Sequence, residues 1–316
     1  MKPRIYFCGE VVADLLERNG GSNNFDLLLG GSQFHGSMGA AKAVKRNKLE
    51  VAISFVGQIS EDTFGDRFIS AFLQNGVDTG SIKRTPRNTT LAIVVIEPGK
   101  ENRYSFYGRE TAEAAIHPLD LPKILPQTER KICCFGSVST VMEPAGTTWL
   151  GFAREQVKTG PVYYDLNTRP ALIRDRAEYQ KRVAEWAATV SIVKASDADI
   201  AWTYPNLTAY EVAKLWLDCG AKMAVITQGA QGALAFTKQH KIEIYETPLL
   251  APNTVGAGDN FNAGVALGLI AENKFTHADL DGLSAAQVEK IIRSGNQTAA
   301  AHLIGLGAKP SAQSAA

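Results

Sequence analysis

The residues best suited to chemistry lie in Asn253-Thr254-Val255-Gly256-Ala257-Gly258-Asp259-Asn260-Phe261-Asn262-Ala263-Gly264, a stretch that runs into the apolar Val265 to Ile270. Small residues at 256–258 let a turn gather several backbone N–H groups, and the apolar pattern after Asp259 predicts that a helix starts there. Unpaired amides and the positive end of the dipole make such a start an anion site, with phosphate the natural ligand. Asp259, in the first turn, admits two readings. It is either an acid that caps the helix and complements its dipole, or a general base that the dipole keeps ionised beside a transferring phosphoryl group.

Other side chains carry complementary chemistry. Asp14 and Asp165 place acceptor-only carboxylates at strand ends, where they suit hydroxyl donors; for Asp14 a solvated loop acid is the plainer reading. Arg169 can hold a hydroxyl or a carboxylate, or simply pair with Asp165. His35 offers two ring nitrogens to a hydroxyl, or is a polar residue at a helix start. Gly229 and Gly232 allow a nucleotide to approach the backbone, or form a tight turn between strands.

The elements that must position these groups follow from periodicity. β-Branched and aromatic runs at 4–8, 51–57, 131–136, 161–166, 190–195, 223–228, 232–238 and 241–246 predict strands. Apolar residues three and four apart predict helices at 34–46, 62–75, 145–158, 175–188 and 208–219. The alternation predicts an α/β fold with a mainly parallel sheet covered on both faces, whose ligands sit at the carboxyl ends of the strands. Leu91–Ile96 and Asn102–Tyr107, flanking a turn-rich linker at 97–101, read as a β-hairpin. With extended pieces near 11–17 and 25–29 it forms a small sheet, a lid over the strand ends. We expect one domain over 1–309, lid strands from about 11–29 and 88–108, and a disordered small-residue tail at 310–316.

Composition narrows the partners. The 316 residues carry 33 Lys and Arg against 32 Asp and Glu, a formal +1, so the basic surplus a nucleic-acid binder needs is absent. Cys8, Cys133, Cys134 and Cys219 show no metal spacing and read as buried thiols of a reducing compartment. No run approaches the roughly 18 apolar residues of a membrane helix, and the N-terminus is too short for a signal-peptide core. A cytoplasmic protein with small-molecule partners is expected.

Gly256-Ala257-Gly258-Asp259, with Phe261 and Ala263-Gly264, resembles the C-terminal signature of the PfkB/ribokinase family of carbohydrate kinases. The resemblance extends in family order over nearly the whole chain. Gly9-Glu10 with Asp14 is similar to the opening strand and sugar-binding aspartate, Gly30-Gly31 to the N-terminal glycine pair, and Val56-Gly57 through Asp62 and Phe64-Gly65-Asp66 to the stretch after the second strand. Tyr163-Tyr164-Asp165-Leu166-Asn167-Thr168-Arg169-Pro170 resembles the Asp-x-Asn-x-Arg-Pro element of fructokinases and 2-keto-3-deoxygluconate kinases. Val193-Lys194 with Ser196, Thr227 through Ala233, Asn296 to Ala300 and Gly307-Ala308 resemble the nucleotide-side motifs.

The resemblance implies a ribokinase-like fold and ATP-dependent phosphorylation of a sugar hydroxyl, closest to fructokinases. It makes Asp259 the base and Gly256, Ala257 and Gly258 the anion hole. Asp14, Gly30, Gly31, His35, Arg109, Asp165, Asn167 and Arg169 take the sugar; Lys194, Thr227, Gly229, Gly232 and Asn296 take the nucleotide. Ser196 and Asp199 stand where the family orders magnesium through an Asn-x-x-Glu. Three departures are visible. Asn253 replaces an aspartate that helps to bind a monovalent cation, which speaks against potassium activation. His35 replaces a sugar-binding asparagine. Arg109 is displaced by one position in the segment that resembles Phe-Tyr-Arg of fructokinases, and in a strand that shift turns the side chain to the other face. The alternatives are a 2-keto-3-deoxygluconate kinase, whose sugar acid would pair with Arg169 or Arg109, and a catalytically silent sugar or nucleotide binder. A lid-mediated homodimer would suit the apolar residues at 91–96, as would an ordinary core.

Overall fold

The structure, a computed structural model, describes residues 2–17, 24–95, 103–122, 125, 130–246, 249–251 and 253–310. Its strands are β1 (Arg4–Cys8), β2 (Val12–Glu17), β3 (Phe25–Gly30), β4 (Ala52–Ser60), β5 (Val77–Thr85), β6 (Leu91–Val95), β7 (Arg103–Tyr107), β8 (Lys131–Gly136), β9 (Val162–Asp165), β10 (Ile192–Ser196), β11 (Met223–Thr227), β12 (Ala233–Phe236), β13 (Lys241–Ile244), β14 (Leu249–Leu250) and β15 (Lys309–Pro310). The helices are α1 (Ser32–Asn47), α2 (Thr63–Gln74), α3 (Ala145–Gln156), α4 (Arg176–Thr189), α5 (Asp197–Thr203), α6 (Ala209–Cys219), α7 (Ala257–Ala271) and α8 (Ala285–Gly305).

Nine strands form one sheet in the order β13-β12-β11-β10-β9-β8-β1-β4-β5. Every pair from β11 to β5 is parallel, and β12 and β13 add antiparallel at the far edge. Strand alternation divides the core. Ile5 and Phe7 join one buried cluster with α7 and α8, whereas Tyr6 and Cys8 join another with Trp149, Trp186 and Trp216 from α3, α4 and α6. Cys133 and Cys134 accordingly face opposite sides; all four thiols are free, and Cys219 is only half-buried.

All eight expected strands of this sheet are present. The ninth, β5, was not expected: it lies at an edge, and its Asp78, Lys83 and Arg84 break the apolar pattern while marking an edge strand protected by charge. Pro310, expected to start the disordered tail, instead pairs with Leu249, beside Lys309 with Leu250; residues 311–316 lie outside the described residues.

A second sheet, β3-β2-β6-β7, stands over the strand ends as the lid. β6 and β7 pair antiparallel as the hairpin reading expected, with its turn at 97–101 outside the described residues. The hinge is tied by Glu113, whose Oε2 accepts from the amide and hydroxyl of Thr90, the residue before β6. Among the described residues no helix is long and apolar enough to cross a membrane.

Candidate active site

Asp259 stands in the first turn of α7, whose N-cap is Gly256 at φ 79°, a left-handed conformation that favours glycine. The turn is closed by the Ala257 amide donating to the Thr254 carbonyl, so Ala257 faces away from the cavity and the Gly258 and Asp259 amides begin the helix. α7 lies tight against α8 because Gly264 has no side chain: a Cβ there would come within 2.2 Å of the Ser294 carbonyl oxygen. Gly39 of α1 likewise leaves room for Asn260, so three helices fix where Asp259 sits.

It opens into a cavity of about 280 Å³ at the strand ends. The body contributes Glu10, Gly31, Ser32, His35, Ser137, Val138, Asn167, Arg169 and Lys194; the 254–259 turn and the lid's Val12, Asp14 and Phe106 complete it. The Ser32 hydroxyl donates to Asp259 Oδ1 at 2.6 Å and the Asn167 amide nitrogen to the same oxygen at 3.3 Å. Asp259 is only 8% exposed, and burial lifts its carboxyl above the ordinary range. The Ser32 hydrogen bond and the charges of Arg169, Lys194 and His302 pull it back. The helix dipole alone therefore does not set its charge state, as the sequence had implied.

Burial also pushes Asp14 up to about 7, opposed by the charge of Arg169, and takes His35 down to about 4, so His35 is neutral at pH 7 and able to give or take a hydroxyl hydrogen bond. Gly30 does not line the cavity; a Cβ on it would sit 2.0 Å from Asp14 Oδ2, so its bareness is what lets Asp14 point inward.

Two expected sugar ligands are elsewhere. Arg109 is exposed just past β7 and outside the cavity lining. Asp165 is buried beneath the cavity floor, where its Oδ2 accepts from Lys194 at 3.0 Å and from Asn262 at 2.7 Å. Burial pulls the Lys194 ammonium down, but the carboxylates of Asp165 and Asp199 more than offset this and hold it above its ordinary value. Its Nζ faces the anion turn, 3.3 Å from where a Cβ on Gly258 would stand.

The remaining nucleotide-side residues lie outside the cavity, along neighbouring strand ends. Ser196 and Thr227 are partners across β10 and β11. Gly229 and Gly232 turn the chain from β11 into β12 with φ of 55° and 109°, and Asn296 donates from α8 to Glu246. Ser196 and Asp199 offer no direct set of metal ligands; the role expected of them is to order magnesium through water. Asp199 Oδ1 accepts from the Thr168 amide, Oδ2 from the Ser196 amide and hydroxyl, and the Ser196 hydroxyl caps α5. Their donors are spent, and among the described residues no cluster of His, Cys, Asp and Glu could hold a metal ion. Asn253 likewise turns its side-chain oxygen to the Val255 amide at 2.8 Å.

Sequence reasoning overlooked Ser32 and Glu10 as site residues, although both adjoin quoted glycines, and Asn262, one helical turn after Asp259. Ser137, at φ 60°, carried no local signal.

A profile described as pfkB family carbohydrate kinase matches residues 8–314. A fructokinase of Rhizobium leguminosarum bv. trifolii is 31% identical over 293 residues, covering 92% of this chain and 86% of that protein. The structure of a fructokinase with bound ATP from Xylella fastidiosa superposes with a TM-score of 0.82 at 22% identity, covering 98% of this chain and 94% of that one. Aminoimidazole riboside kinase from Salmonella enterica, complexed with aminoimidazole riboside and an ATP analogue, superposes with a TM-score of 0.78 at 23% identity, over 95% and 93% of the two chains.

Proposed function

We propose that this chain, which belongs to the pfkB family of carbohydrate kinases, is a fructokinase. The family makes it an ATP-dependent phosphotransferase with a carbohydrate alcohol as acceptor; the choice of fructose draws on the Rhizobium relative. The observation that carries the mechanism is that Asp259, Gly256, Gly258, Asp14 and His35 face one cavity. The sugar lies between the lid and α1, its hydroxyls held by Asp14, His35 and Arg169. Asp259 takes the proton of the attacking hydroxyl, and the helix-start amides with Lys194 stabilise the terminal phosphoryl group in flight. A base whose affinity for protons is raised by burial suits this task better than an ordinary aspartate. Magnesium would arrive with the nucleotide and offset its phosphate charge, and Ser196 and Asp199, hydrogen-bonded to each other, would reach it only through water. The nucleotide runs from the anion turn along Thr227, Gly229 and Gly232 toward Asn296.

One observation favours a second substrate. Among the described residues Arg169 makes no ion pair, its Nη1 donating instead to Asn167 and the Thr168 carbonyl. A sugar acid such as 2-keto-3-deoxygluconate would supply the missing carboxylate. The lid suits a homodimer: Leu15, Leu27, Leu91 and Ile93 share one face by register and are only half-buried, with Phe25 exposed beside them. Coupled ADP release measured over fructose, ribose and 2-keto-3-deoxygluconate, with and without potassium, tests the reading. Fructose is expected to give the highest kcat/KM, without a potassium requirement. Preference for the sugar acid would transfer the assignment to the second reading, and ligand binding without any ADP release would mark a silent binder.

A further inference from the structure

Asp259 presents its two oxygens unequally. Oδ1 accepts from the Ser32 hydroxyl at 2.6 Å and the Asn167 amide at 3.3 Å, while Oδ2 accepts no hydrogen bond among the described residues. Both donors are themselves held. The Ser32 backbone amide donates to Glu10 Oε1 at 3.2 Å, and the other oxygen of that buried carboxyl takes the Ser139 amide. Asn167 is oriented by Arg169, whose Nη1 donates to Asn167 Oδ1 at 2.6 Å and so turns the amide nitrogen toward Ser32 and Asp259.

We propose that Ser32 and Asn167 are positioning residues for proton transfer: by occupying Oδ1 of Asp259 they reserve Oδ2 as the oxygen that receives the alcohol proton. The inference rests on the assignment of Asp259 as base. In the step, the sugar O–H bond breaks and Oδ2–H forms; the sugar oxygen bonds to the terminal phosphorus, and the bridging oxygen leaves with ADP. Holding one oxygen fixes the plane of the carboxylate, which otherwise rotates about χ2 and presents either oxygen. The same two hydrogen bonds favour the ionised form.

Charged or titratable groups surround Asp259 on every side: Arg169 past β9, Lys194 on β10, His302 on α8, His35 on α1, Asp14 on β2 and Glu10 past β1. Ser32→Ala spares all of these groups, whereas Asn167→Gly also frees the Arg169 Nη1 that Asn167 Oδ1 accepts, so the two variants are read together. Ser32→Ala removes the hydroxyl and keeps the backbone amide that Glu10 accepts. Asn167→Gly removes the amide and tolerates the left-handed φ of 38° that alanine would resist. Each is expected to move the acid limb of the kcat–pH profile upward by about one pH unit, the weight of one hydrogen bond to a charged group. The KM for sugar is expected to stay within about twofold, since the loss is confined to the transition state. An unmoved limb with a raised sugar KM would make both residues sugar ligands and overturn the proposal. If Ser32→Ala does not fold, Asn167→Gly decides alone. Asp259→Asn separates the two layers: a dead Asp259→Asn beside unmoved limbs removes only this inference, whereas an active one removes the base assignment as well.

Discussion

Where the lid overhangs the sheet, polar side chains are drawn from segments far apart in sequence: buried Glu10, Ser32 and Asp259 and half-buried Asp14 and Asn167 all meet in one cavity. Beyond β10 the candidate residues are backbone turns and half-exposed side chains: Gly229 and Gly232 are held by their own turn, Thr227 by its partner in register, and Asn296 on α8 by Glu246. The difference shows in the chemistry. On the lid side burial brings Glu10 and Asp14 to about 7 and lifts Asp259, so protons are held near neutral pH. A site that must move a proton needs such desolvated groups; a surface that only holds a nucleotide can use backbone amides and strand ends, which local conformation supplies.

Replacing Asp259 with Asn is the hardest test of that contrast. Turnover should fall about 10²- to 10⁴-fold, the usual weight of general base catalysis, while calorimetry shows nucleotide binding kept. Full turnover would make the lid side a mere binding surface. Asp165→Asn comes next. It removes the carboxylate bonded to buried Lys194, for an expected loss of roughly 3–5 kcal/mol in urea unfolding; wild-type stability would show that the pair under the cavity floor carries no structural load.

A smaller effect concerns pH. Burial raises the Glu113 carboxyl at the lid hinge from its ordinary 4.5 to about 8. A folded-state value above the unfolded one means that its contribution is fully present below about pH 4.5 and is lost as pH rises through about 8. The wild type should therefore lose stability between about pH 4.5 and 8. Glu113→Gln, which keeps an acceptor for Thr90 and cannot ionise, should flatten that decline by roughly 1–3 kcal/mol. An equally steep fall in the variant would separate the hinge from the effect. The smallest change is expected on the far side. Thr227→Val should raise the KM for ATP but not for sugar, with stability altered by less than about 0.5 kcal/mol, because its only described hydrogen bond is a long 3.5 Å contact to the Ala195 carbonyl.

Legibility followed the same division. Strands such as β1 and β8 are continuous apolar runs because helices cover both faces, and such runs can be read directly. β5 escaped because an edge strand half in water needs no apolar run. The turn into α7 was legible, since its glycines and acid act within one turn of chain. Asp165 was misread as a sugar ligand because a carboxylate at a strand end looks alike whether it faces a cavity or a buried lysine, and only the packing of β10 and α7 against β9 brings Lys194 and Asn262 to it.

By itself the amino-acid sequence determined the alternation of strands and helices, the hairpin of the lid and the anion turn before Asp259. These depend on periodicity and on backbone freedom, which act over a few residues. Tertiary structure alone decided that Ser32 and Asn167, 227 and 92 positions from Asp259, share one of its oxygens, that Asp14 is buried enough to hold a proton near pH 7, and that Asp199 also takes the Thr168 amide, 31 positions away. Hydrogen bonding and desolvation depend on distance and water exclusion in space, and neither is set until the chain has closed on itself.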